Sequence, residues 1–194
     1  PSRPRGWSRP SPRRTDVLGV GLVRGINVGA STRVAKGDLV AAFEDAGLHD
    51  VVTLLQSGNA VFTADDELTA TTAAAVEAAL EARSGVAARV LLLTQERFRA
   101  VAAANPLVAV ADDDSRLVVT FLDHDLPDSV ALPADDETAP ELIRAGDRAL
   151  YQWCPLGVSK SVVPAAFWRA VGPVATARNQ RTVTRLLAEL DRRG

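Results

Sequence analysis

The sequence predicts an α+β fold. Three observations carry that expectation. Apolar side chains make up 47% of the 194 residues, enough to bury a core as one domain or two small ones. Short β-branched runs alternate with helical patterns along the chain. No apolar run approaches the roughly 20 residues that a membrane helix needs. Val17–Arg24 is β-branched with glycines and reads as a buried strand, followed by a loop with Gly25, Gly29 and Ser31. Residues 38–46 read as a short helix with Leu39, Val40 and Phe43 on one face, closed by Gly47. Residues 51–55 and 60–63 are strands joined by a tight turn at Ser57-Gly58-Asn59, a hairpin. An alanine-rich helix over 67–83 ends at Gly85, and 86–93 is a strand. This β-α-β-β-α-β order is ferredoxin-like.

The second half is less regular. Residues 95–104 read as a helix stopped by Asn105-Pro106, and 116–122 as a strand. The acidic piece over 123–140 reads mostly as loop. Residues 141–144 and 148–153 form a hairpin around Gly146-Asp147. Residues 162–171 read as helical with Pro164 in the first turn. The last helix, over about 180–191, carries Val183, Leu186, Leu187 and Leu190 as one apolar stripe. Arg178, Arg181 and Arg185 are expected opposite it.

Charge is segregated. The first 14 residues hold five arginines and no acid, so residues 1–15 read as a disordered basic tail without the apolar stretch of a secretory signal. Outside it, 17 basic face 24 acidic side chains, a formal charge of −7. Such a body is a poor general nucleic-acid binder. Residues 112–141 hold ten acids and one base, whereas 148–188 hold six bases and no acid. Residues 17–37 hold Arg24, Arg33 and Lys36, again with no acid. Both lysines of the chain, Lys36 and Lys160, fall in these acid-free stretches.

One cysteine, Cys154, allows no internal disulfide and fits a reducing, cytoplasmic compartment. Two separated histidines, His49 and His124, give no zinc-ligand spacing, so no metal and no cofactor is expected. No G-x-S-x-G elbow marks a nucleophile.

Four short constellations could carry chemistry. Arg24-Gly25-Ile26-Asn27-Val28-Gly29 leaves the first strand, where glycines permit close backbone approach to an anion. It is neither a P-loop nor G-x-G-x-x-G, and on spacing alone a plain strand-to-loop corner explains it better. Gln56-Ser57-Gly58-Asn59 offers amides and a hydroxyl, although turn chemistry alone accounts for them. Gly157-Val158-Ser159-Lys160-Ser161 is a small-residue loop before a helix, suited to phosphate. Asn179 is an N-cap for the last helix, with Arg178, Arg181 and Thr182 around it. Trp153 and Trp168 are expected in the core or an interface.

These stretches together resemble a known family. LVRGINVGASTRVAKGDLVAAFEDAGLHDVVTLLQSGNAVF, then GVSKS and ATARNQRTVTRL, is similar to the bacterial domain-of-unknown-function family 1697 over residues 18–190. The resemblance implies a pair of ferredoxin-like (α/β plait) subdomains in one compact protein. They would occupy residues 16–94 and 95–194, the second a distorted copy. It also implies motif positions at Arg24, Asn27, Gly29, Lys36, Ser57, Asn59, Ser159, Lys160, Arg178, Asn179 and Thr182. The chain departs from the family pattern at Ala30, Leu54 and Gln180.

The leading functional expectation is a binding module for a small anionic ligand, a nucleotide or phosphorylated metabolite. The alternatives are an enzyme on that ligand class using Lys36 or Lys160, and an interaction protein, monomeric or homodimeric. RNA stays open as a partner through a ferredoxin-like sheet, although no RNP-type aromatic string is present.

Overall fold

The computed structural model describes residues 16–172 and 175–194. The expected basic tail lies outside them. The chain folds as two four-stranded antiparallel sheets. The first contains β1 (Val17–Arg24), β2 (Leu48–Leu54), β3 (Asn59–Ala64) and β4 (Arg89–Thr94), in the spatial order β2-β3-β1-β4. The second contains β5 (Leu117–Leu122), β6 (Leu142–Gly146), β7 (Ala149–Trp153) and β8 (Ala175–Asn179), in the order β6-β7-β5-β8. The permutation is the same, so two ferredoxin-like units follow one another. Each unit also ends in a trailing helix directly after its last strand. These are α3 (Gln95–Ala103), capped by Thr94, and α6 (Gln180–Asp191), capped by Asn179.

The crossovers differ, and that difference makes the second unit the distorted one. In the first unit α1 (Lys36–Asp45) and α2 (Ala70–Ser84) cover one sheet face. Phe43, Phe62, Val76 and Leu80 pack there, all fully buried. Gly21 of β1 is required by that packing, because a Cβ at this position would lie 2.4 Å from the Phe43 ring. Gly21→Ala is expected to cost about 1–3 kcal/mol through overpacking. A urea midpoint equal to that of the unaltered chain would contradict this packing. In the second unit the corresponding helices shrink to α4 (Asp135–Thr138) and α5 (Ala165–Val171). Of the two, α5 packs on the sheet through Phe167 and Val171, against Leu122, Ile143 and Leu150. Val118, Thr120 and Gln152, on the same face by strand alternation, are left as the floor of a cleft.

The inner faces of both sheets close on α3 and α6. Val20, Leu22, Val61, Leu91 and Leu93 of the first sheet share one core with Leu117, Val119, Phe121 and Tyr151 of the second. Phe98, Val183, Leu186 and Leu190 of the two trailing helices fill the space between. Phe98 stacks on Phe121 at 5.2 Å, and the Tyr151 hydroxyl donates to the Val101 carbonyl at 2.8 Å.

Several elements differ from the sequence expectation. Residues 175–179 form strand β8, so Arg178 sits on a strand and not opposite the leucine stripe of the last helix. Five mostly small, polar residues carry no strand signal alone; pairing with β5 makes the strand. The helix expected from 162 starts at Ala165, because Ser161 and Glu141 hold the backbone N–H groups of Val163 and Val162 in an extended entry. The long helix expected from 67 starts at Ala70, where the Thr69 side chain accepts from the Thr72 N–H.

Candidate functional site

A cleft of about 570 Å³ opens between the two units. One wall is the end of β1 and the loop beyond it. The floor is the uncovered face of the second sheet. The far wall comes from the 157–161 loop, α5 and β8. Its apolar surface includes Ile26, Val28, Val118, Val158 and Trp168. Its polar surface includes Arg24, Ser57, Thr120, Gln152, Ser161 and Arg178, and among the described residues no carboxylate lines it.

Arg178 ties the units together. Its Nε donates to Asn59 Oδ1, and its Nη2 donates to the carbonyls of Val23 at 2.8 Å and of Ser57 and Gly58 at 3.1 Å. Its Nη1 donates to Thr176 Oγ1 at 3.0 Å and to the Ala177 carbonyl at 2.8 Å. Every acceptor is neutral, and among the described residues the guanidinium has no ion pair. Burial pulls its pKa down to about 10, so it stays charged at neutral pH. Gly58 holds the turn that presents these carbonyls. Its φ is +75°, and a Cβ there would lie 2.9 Å from the Val23 carbonyl oxygen.

The cleft brings Arg24, Ser57 and Arg178 together, with the fully buried Asn59 directly behind Arg178. Asn59 Nδ2 donates to Ser57 Oγ at 2.9 Å and to the Leu54 carbonyl at 3.0 Å. Arg24 Nη1 donates to the Ala175 carbonyl at 3.0 Å, a second link between the units. Asn27, at φ 55°, braces its loop: its Nδ2 donates to the Gln56 carbonyl at 2.6 Å and its Oδ1 accepts from the Val34 N–H at 3.0 Å. Gly29 is exposed at the start of a single 3₁₀ turn, Ala30–Thr32. Ser159 and Lys160 are exposed in the turn Val158–Lys160, whose neighbours Val158 and Ser161 line the cleft.

The remaining sequence candidates lie outside the lining. Lys36 is exposed at the first position of α1. Asn179 Oδ1 accepts from the Thr182 N–H at 2.9 Å and the Thr182 hydroxyl at 2.8 Å, so both side chains are spent on the α6 cap. Arg181 pairs with Asp113 at 3.3 Å, and its N–H donates to the Asp114 carbonyl. The start of α6 is therefore closed by its own chain.

Sequence reasoning missed Gln152, Thr120 and Trp168 as cleft residues. Gln152 had a readable signal, as a polar side chain inside a strand of otherwise apolar, buried residues. Trp168, expected in the core or an interface, packs edge-on against Phe167 at 5.1 Å and lines the cleft.

Cys154, fully buried beside this region, is not a nucleophile. Burial, and secondarily the Glu141 charge, push its thiol up to about 12. The folded state holds the proton above the thiol's ordinary pKa of 9.0 while the unfolded chain releases it. Stability is therefore expected to fall between about pH 9 and 12. Thiol reagents at pH 8 should label Cys154 only in denaturant; rapid labelling of the native chain would contradict its burial.

Among the described residues no group of histidine, cysteine and carboxylate could hold a metal, and no helix is long and apolar enough to cross a membrane. The architecture is a duplicated ferredoxin-like α+β protein with a cleft at the junction of the units. The chain belongs to a family of proteins of unknown function, DUF1697, whose model matches residues 19–151. It is similar in structure to the conserved bacterial protein SP0830 from Streptococcus pneumoniae, with a TM-score of 0.67 and 24% identity. That similarity covers 91% of this chain and 99% of the other, and it shows the fold. A comparison with curated proteins gave no match.

Proposed function

We propose that the chain binds a small anionic ligand, a nucleotide or phosphate-bearing metabolite, in the cleft bounded by Arg24 and Arg178. One observation carries the reading. Two guanidinium groups and no carboxylate among the described residues line a cleft in a body of formal charge −7. Arg178 supports it further, because neutral oxygens alone surround its buried charge. An anion nearby gains from that field without displacing any of its hydrogen bonds. The apolar wall suits the uncharged part of the ligand. Metabolites of this kind fit a cytoplasmic setting, as does an unpaired, buried cysteine.

The test is a melting screen against inorganic phosphate, ribose 5-phosphate and the four nucleoside monophosphates at low and moderate salt. A compound at 100 times its Kd adds about 2.7 kcal/mol. For a chain of this size that is a rise of about 5–10 °C. We expect such a shift with at least one phosphate compound, and its loss in Arg24→Ala. No shift with any of them would overturn the reading.

A further inference from the structure

Gln152 is only 4% exposed on the cleft floor, yet half of its amide is unused. Its Nε2 donates to the Glu141 carboxylate and to Ser161 Oγ, each at 2.9 Å. Its Oε1 accepts from no described residue. The orientation is forced. A carboxylate only accepts, so the amide must turn its nitrogen toward Glu141 and leave its carbonyl for the cleft. Glu141 is itself fixed: it is 2% exposed and also accepts from Ser161 Oγ at 2.9 Å and the Val162 N–H at 3.0 Å. Thr120, two residues along β5 from Val118, the partner of Gln152, likewise has a side-chain hydroxyl with no partner among the described residues.

Two parts of the lining therefore ask for opposite chemistry. Arg24 attracts negative charge, whereas the Gln152 carbonyl repels an anion and seeks an N–H or O–H donor. Trp168, Val118 and Val158 line the same cleft with apolar surface. We infer that the ligand is a nucleoside monophosphate, with its base donating to Gln152 Oε1 and its phosphate toward Arg24. A bare phosphate or a sugar phosphate leaves the floor unanswered. This inference rests on the anion-site reading and narrows it.

Isothermal titration of the full chain with ribose 5-phosphate and the monophosphates of adenosine, guanosine, cytidine and uridine tests it. The tightest nucleotide should bind at least about tenfold better than ribose 5-phosphate, because a site built to meet a donor rejects ligands without one. Gln152→Met should remove that preference, so that the nucleotides bind no better than ribose 5-phosphate. Should Gln152→Met fail to fold, the preferred nucleotide with its base donor methylated, tested on the unaltered chain, must lose the same factor. Equal affinity for all five compounds overturns the inference and spares the anion site. A ring preference that survives both changes overturns the role of Gln152. No binding by any compound overturns both readings.

Discussion

Arg178→Ala is expected to destabilise the chain by about 3–5 kcal/mol, the scale of losing several charge-assisted hydrogen bonds at once. Six bonds go, four of them to the first unit. Asn59 Oδ1 would be left without a donor in a residue that is 0% exposed. Arg178→Lys should recover less than half, because an ammonium cannot reproduce the guanidinium fork that reaches both Asn59 and three carbonyls. Urea denaturation of the three proteins measures this. A loss below about 1 kcal/mol for alanine would mean that the links are surface contacts of the ordinary weak kind.

The isolated segment 16–94 should show no cooperative melt, although its strands and helices make a complete ferredoxin-like unit. Val20, Leu22, Val61, Leu91 and Leu93 on its inner sheet face are at most 7% exposed in the full chain, and they pack with α3, α6 and the second sheet. Baring five such side chains removes about 10 kcal/mol of burial. That is comparable to the whole stability of an ordinary domain. Extending the segment to residue 104 adds Phe98 and Val101 of α3 but still exposes their outer side to water. A sharp calorimetric transition in either segment would show that the shared core is dispensable.

The first unit was legible because its signals are local. The Val17–Arg24 strand has the same bounds in the structure, and Gly47 and Gly85 sit past their helices at φ 82° and 69°. The Asn179 cap could also be read from sequence, and its side chain does accept from the Thr182 N–H. Strand β8 could not, since Ala-Thr-Ala-Arg-Asn becomes a strand only against β5. The site was half legible for the same reason. The acid-free segments point to Arg24 and Arg178 and the hairpin turn to Ser57, and the fold does join them. Lys36 and Arg181 share the same local charge pattern but face other surroundings, which sequence spacing does not encode. Gln152 and Trp168 come from a strand and a short helix whose roles depend on how little α4 and α5 cover.

Chemical-shift mapping of the ¹⁵N-labelled chain during titration with adenosine monophosphate and inorganic phosphate tests the cleft as the anion site most directly. With adenosine monophosphate, shifts should concentrate at Arg24–Val28, Gln152, Ser161, Trp168 and Arg178, saturating together with one Kd. Unchanged spectra, or shifts gathered at Lys36 and the start of α6 instead, would contradict it.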